Sequence, residues 1–264
     1  MRTVLRQILL FKRTLVQQVA RLFSQGEQGV WYDPSDFSTL FQDSAGTTPV
    51  TAVEQPVGKI LDKSGRGNHA TQATSASRPI LRQDAQGKYY LFFDGIDDSL
   101  ATAAINFTST DKMTVFAGVR KLSDAAVGVV VELSADRNTN NGAFSLLAPG
   151  SGADRYLWVS KGTLDAFTQA QTGVNAPITS VLVGVGNIVG DTSILRVNGN
   201  TVTTTLTDQG TGNYGNHALY IGRRGGTTLP FNGHLYSLIV RAAQSTGAQI
   251  ASAESYVNSK TGAY

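Results

Sequence analysis

The stretch Ser193-Ile-Leu-Arg-Val-Asn198-Gly199-Asn-Thr-Val-Thr-Thr204 decides the fold class. Two runs rich in apolar and β-branched residues flank Asn198-Gly199. A two-residue type I′ turn needs positive φ at both central positions, which Asn and Gly tolerate better than other residues. The stretch therefore predicts a β-hairpin. Outward from it, strand-like runs recur at residues 30–32, 59–61, 88–93, 99–103, 113–121, 127–133, 143–148, 155–160, 179–185, 218–221 and 233–241. Turn-rich clusters at 62–68, 136–142, 149–152 and 222–227 separate them. Strands at this spacing with no helix between them predict antiparallel sheets packed face to face.

Composition agrees. The chain has 264 residues, 41% of them hydrophobic and only 16% charged. That suffices for a large core, and it excludes disorder over most of the length. Cysteine is absent, which excludes disulfides, thiolate metal sites and a cysteine nucleophile. No apolar run approaches the ~20 residues of a membrane-spanning helix. The net charge of +3 is uneven. Arg2, Arg6, Lys12, Arg13 and Arg21 give residues 1–23 a charge of +5 with no acid, so the rest of the chain is slightly acidic. A body without a basic face argues against nucleic-acid binding.

Residues 1–24 read as an amphipathic helix. Met1, Leu5, Ile8, Lys12, Leu15, Val19 and Leu22 recur at heptad spacing with one polar exception. A lone helix of this length is marginal in water, so the seam Leu5, Ile8, Leu15, Val19 and Leu22 is expected to act as an assembly anchor. Its candidate partners are copies of itself, an acidic groove on another protein, an anionic membrane surface, or the chain's own body. The apolar stretch at 8–11 is broken by Lys12-Arg13 and is followed by no small-residue cleavage site, which makes it a poor export signal. The expected division is an anchor over 1–24 and a sandwich over 25–264. A short C-terminal helix follows Thr246, whose spacing to Gln249 is that of a capping box.

Several motifs resemble those of concanavalin A-like, laminin-G-like jelly rolls. Asp62-Lys-Ser-Gly-Arg-Gly-Asn-His-Ala-Thr71 resembles their early loop, and Phe93-Asp-Gly-Ile-Asp-Asp-Ser-Leu100 their following turn. Met113-Thr-Val-Phe-Ala117, Leu195-Arg-Val-Asn-Gly199, Leu219-Tyr-Ile-Gly-Arg223 and Phe231-Asn-Gly-His-Leu-Tyr-Ser-Leu-Ile-Val240 resemble later strands of the same domains, in the same order. Residues 29–82 also resemble tailed-phage virion proteins. The resemblances imply an all-β, two-sheet jelly roll with a helix at each end. They further imply a non-enzymatic virion structural protein of head, collar, tail or fibre, its partners being other virion proteins and its own copies. The alternative is a carbohydrate-binding host-adhesion module at a cell surface, and a remote third is a glycoside hydrolase.

The residues discriminate between these only in part. Retaining hydrolases of this fold resemble one another in a Glu-x-Asp-x-Glu strand, whose paired carboxylates act as nucleophile and acid/base. The four glutamates Glu27, Glu54, Glu132 and Glu254 show no such spacing. Only Glu132 falls in a core strand, with Asp136 beyond its end, so the expectation is no catalysis. Asp94, Asp97 and Asp98 are candidate calcium ligands, but the spacing favours a turn in which Asp side chains cap backbone amides. The loop 136–142 is read the same way. No other cofactor is expected. His69, His217 and His234 lack metal-ligand spacing. Trp31, Trp158, Tyr156 and Tyr214 are the aromatic residues that could stack on sugars; Trp31 and Trp158 lie in strand-like runs and are read as core, whereas Tyr214, in a polar glycine loop, is the better exposed candidate. No sugar site is assigned.

Overall fold

A computed structural model describes residues 15–151, 154–170 and 174–264. Asn198 and Gly199 take φ of 50° and 78°, the pair of positive values that the hairpin requires. The early strands are β1 (Gly29–Tyr32), β2 (Leu40–Phe41), β3 (Lys59–Ile60), β4 (Ala70–Thr71), β5 (Ile80–Gln83) and β6 (Tyr89–Asp94). The middle of the chain forms β7 (Leu100–Asn106), β8 (Lys112–Lys121), β9 (Val129–Leu133), β10 (Ala143–Leu147), β11 (Tyr156–Lys161) and β12 (Asp165–Ala170). Then come β13 (Ile178–Asn187), β14 (Thr192–Val197), β15 (Asn200–Thr205), β16 (Asn216–Ile221) and β17 (Asn232–Arg241). Helix α1 occupies 15–21 and α2 spans Gly247–Thr261.

All strand pairs are antiparallel. One sheet runs β15-β14-β13-β8-β17-β6-β5, with β1 also on β17, and the other runs β12-β11-β10-β9-β16-β7-β4-β3-β2. This is the two-sheet sandwich the sequence predicts. Between the sheets, Val115, Ala117, Leu182, Leu238 and Val240 meet Leu133, Phe144, Leu146, Trp158 and Leu219. The fit is tight at Gly184, where an added Cβ would lie 2.3 Å from the Trp158 ring. Trp158 keeps its indole N–H satisfied by donating to the Val185 carbonyl at 3.1 Å.

The central strands of the first sheet, β8, β13 and β17, are buried on both faces. Phe116, Val181, Val183, Val185 and Ile239 alternate with the inner residues and point outward, where Leu15, Val19, Leu22, Phe23, Ala253, Tyr256 and Val257 cover them. This corrects the expected anchor. Leu15, Val19 and Leu22 are buried in the chain's own body, each contributing roughly 1.5–3 kcal/mol of burial there. They therefore offer no face to another protein. Leu5 and Ile8 lie outside the described residues. The boundary expected between residues 24 and 25 is bridged by hydrogen bonds: the Arg241 guanidinium donates to the Leu22 carbonyl at 2.7 Å, and Arg66 donates to the Phe23 carbonyl.

Helix α2 starts at the expected capping box, with Thr246 and Gln249 serving each other's backbone, and ends at Gly262 in the left-handed region. It is clamped by a buried network. The Tyr256 hydroxyl donates to Asp33 at 2.8 Å, the Trp31 indole donates to Tyr256 at 3.1 Å, and Lys260 reaches Asp33 at 2.9 Å. Burial works to raise the Asp33 carboxyl, but the Lys260 and Lys63 ammoniums outweigh it and hold the group at about 2. No helix among the described residues is long and apolar enough to cross a membrane.

Candidate ligand-binding cleft

The outward face of the second sheet is only partly covered. Successive registers set Glu132 beside Ser145, Ser145 beside Val159 and Val159 beside Phe167 across β9, β10, β11 and β12. Leu147 pairs with Leu157 in a neighbouring row. Val129, Leu147, Leu157 and Val159 form a small apolar cluster of their own on this face, with Val127 and Leu229 beside it. Above it lies a cleft of about 410 Å³ whose walls include Arg137, Arg155, Arg224 and Phe167. Phe167 is 45% exposed, a large aromatic ring at the edge of an apolar floor. The Arg137 guanidinium lies over it, 5.1 Å from the ring centroid.

The arginines are placed by the ends of β9 and β16. Ser134, with φ of 95°, turns the chain out of β9 so that the Arg137 backbone N–H reaches back to Glu132 at 2.9 Å. After β16 the turn holding Arg223 and Arg224 closes through the Arg224–Thr228 bridge. Arg224 then donates to both Glu132 oxygens, from Nε at 3.0 and 3.1 Å and from Nη2 at 3.0 Å. Ser145 adds a hydroxyl at 2.6 Å. Glu132 is fully buried, and these donors saturate a carboxylate that has about four lone-pair sites. Its neighbour Asp136 lies 3.7 Å from Arg224 Nη1, so a cation stands between the two acids. Asp136 otherwise caps its own turn, accepting from the Asn138 N–H at 2.9 Å.

Asp94, Asp97 and Asp98 do converge, with one oxygen of each within 4.8 Å of the others. They also build the capped turn the sequence favours. Asp94 accepts from the Ile96 N–H at 2.8 Å, Asp98 from the Asp94 N–H at 3.0 Å and Asp97 from the Ser77 hydroxyl at 2.7 Å. Burial, reinforced by the neighbouring Asp94 and Asp97 charges, raises the Asp98 carboxyl to about 6. The three side chains could ligate a hard divalent cation, and the turn's own bonds account for the same geometry without one.

The predicted aromatic residues fall inside the body. Trp31 and Trp158 are core, as expected, and Tyr156, a possible stacking ring, is fully buried as well. Tyr214 is not the exposed ring the sequence suggests: it is fully buried, its hydroxyl 2.7 Å from Ser160. The glycines around it tighten the loop onto the core. His69 accepts from the Asp62 N–H at 3.0 Å, while His217 lies 3.1 Å from the Asn141 carbonyl oxygen. His234 stacks on Tyr90 at 3.8 Å between centroids. The histidines share no site. A second hollow of about 450 Å³ lies on the opposite face, beside Lys88, Tyr256 and Lys260. Its two lysines are already engaged, Lys88 with the Ser259 carbonyl at 2.9 Å and Lys260 with Asp33 and Ser35.

No family model matches the chain, and no curated protein matches it in sequence. Solved structures match it in fold. Domain 4 of an extracellular arabinanase from Geobacillus stearothermophilus, in complex with arabinotriose, superposes with a TM-score of 0.60 at 11% identity, over 85% of this chain and 97% of that one. The binding domain of botulinum neurotoxin DC, in complex with SialylT, gives 0.55 at 10% identity over 76% of this chain and 48% of that one. The same domain in complex with rat synaptotagmin II gives 0.54 at 10% identity over 76% and 49%. This chain thus spans about half the length of the neurotoxin binding domains.

Proposed function

We propose that this chain is a recognition domain that binds glycan in the cleft over β9–β12 and performs no bond-breaking chemistry. The observation that carries the reading is the half-exposed Phe167 ring beside an apolar floor and arginine donors. Sugars present an apolar face that packs on aromatic rings and hydroxyls that accept from polar rims, the usual make-up of a small-ligand site. Two of the fold neighbours, the arabinanase domain and a neurotoxin binding domain, are described in complex with a saccharide or with SialylT, which supports the same direction. The saturated environment of Glu132 supports a non-catalytic role, because a carboxylate held by Arg224, Ser145 and the Arg137 amide has no lone pair left for attack.

The setting we propose is an exposed surface, and the likeness of residues 29–82 to tailed-phage virion proteins favours the outside of a phage particle. Attachment there would use surfaces other than Leu15, Val19 and Leu22, which face the body. The experiment is a glycan array probed with the full chain, paired with an assay for new reducing ends on every glycan retained. Retention without cleavage is the expected result. Cleavage that survives in wild type and vanishes in Glu132→Gln would replace this reading with a hydrolase.

A further inference from the structure

We propose that the cleft selects acidic saccharides, those bearing a carboxylate or sulfate, and that Arg137 is the residue that reads the charge. The inference rests on the glycan reading of the cleft and adds its ligand class. Arg137, Arg155 and Arg224 line the cleft, and among the described residues no carboxylate does. The acids that pair with two of these arginines lie outside its walls.

Arg224 is already committed to Glu132. Arg137 is not committed in the same way. It is 8% exposed, yet its Nε and Nη1 atoms are buried without a hydrogen bond. Asp165 lies 3.2 Å from Nη1, close enough for charge attraction but not aligned for a hydrogen bond. A buried charged donor without an aligned acceptor is unfavourable, so the site favours an anion beside it. The guanidinium lies over the Phe167 ring at the cleft wall, so the charge and the aromatic face are presented to the same ligand. A carboxylate or sulfate seated there gains the charge-assisted attraction that arginine offers to anions. The sugar ring bearing that group would lie on Phe167 and the leucine floor.

Lys161 adds to the field. It is buried, donates to the Arg137 carbonyl at 2.7 Å and has no ion pair among the described residues. It thereby places a buried ammonium behind a wall that already carries arginine side chains.

The test is calorimetric titration of the full chain with a polyuronate oligosaccharide and its carboxyl-reduced neutral counterpart, and with a sulfated oligosaccharide and its desulfated counterpart. The two pairs separate carboxylate from sulfate. At least one charged ligand should bind about tenfold tighter than its neutral counterpart, a difference that shrinks on raising salt from about 50 to about 500 mM. Arg137→Gln should bring the charged ligands down to the affinity of their neutral counterparts, and Asp165→Asn, which releases Arg137, should enlarge the preference. Equal binding of charged and neutral ligands, or an unchanged preference in a folded Arg137→Gln protein, overturns the inference and leaves the glycan reading standing. Binding of none of the four overturns both.

Discussion

Arg224 grips Glu132 from the side, with Nε at 3.0 Å from one carboxylate oxygen and Nη2 at 3.0 Å from the other. The pair joins the turn after β16 to the C-terminal end of β9 and fixes one wall of the cleft. Removing one partner of such a buried pair leaves the other charged and desolvated. Arg224→Ala and Glu132→Ala should each lose about 3–5 kcal/mol of unfolding free energy in urea. Glu132→Gln, which keeps the shape and some acceptors, should lose less. Equal stability of all three with wild type would mean the pair is solvated in solution.

The inner face offers a test of packing. An added methyl at Gly184 meets the Trp158 ring with no space to accept it. Gly184→Ala should destabilise by about 1–3 kcal/mol, seen as a lower thermal midpoint with unchanged far-ultraviolet dichroism.

Helix α1 gives a third. If Val19 and Leu22 are sealed against Phe116, Val183 and Ile239, then Val19→Asp should lower the thermal midpoint and expose dye-binding apolar surface. A free anchor helix would tolerate that change without loss of stability in the body.

Two groups make the stability depend on pH in opposite senses. Burial, with the Arg120 charge nearby, pulls the His234 ring down to about 4, below its ordinary 6.5. Its contribution is complete above pH 6.5 and is lost as pH falls through 4. The Asp98 carboxyl, raised from 3.8 to about 6, behaves in reverse: its contribution is complete below 3.8 and is lost as pH rises through 6. Asp98→Asn should therefore stabilise by about 1–2 kcal/mol at pH 8 and have little effect at pH 4, whereas His234→Gln should flatten the loss between 6.5 and 4. Thermal midpoints of wild type and the two variants across this range check both signs.

Much of the fold is legible in the sequence because its signals are local. Asn198-Gly199 fixes a hairpin through backbone preference alone, and Thr246 with Gln249 marks the start of α2 by spacing. The amphipathic character of the first helix is legible too, but what covers it is not. The clue is in Val181-Leu-Val-Gly-Val185, a run apolar at successive positions, which marks a strand buried on both faces and so calls for a covering layer. The cleft is harder to read. Phe167 lies in Asp165-Ala-Phe-Thr-Gln-Ala170, which has little β-branched character and becomes a strand through its pairing with β11. Arg137 and Arg224 sit in separate turns, and only the sheet order β12-β11-β10-β9-β16 brings them to one place. Tyr214 fails as a surface ring for the opposite reason: polar neighbours in sequence do not prevent a loop from folding its aromatic residue inward.

The site itself is tested most directly by a solution NMR titration of the full chain with a retained oligosaccharide. Amide shifts should concentrate on β9–β12 and on the Arg223–Arg224 turn, and should be lost in Phe167→Ala, whose ring is too exposed for its removal to unfold the sandwich. Shifts gathered instead around Lys88, Tyr256 and Lys260 on the opposite face would contradict this placement of the site.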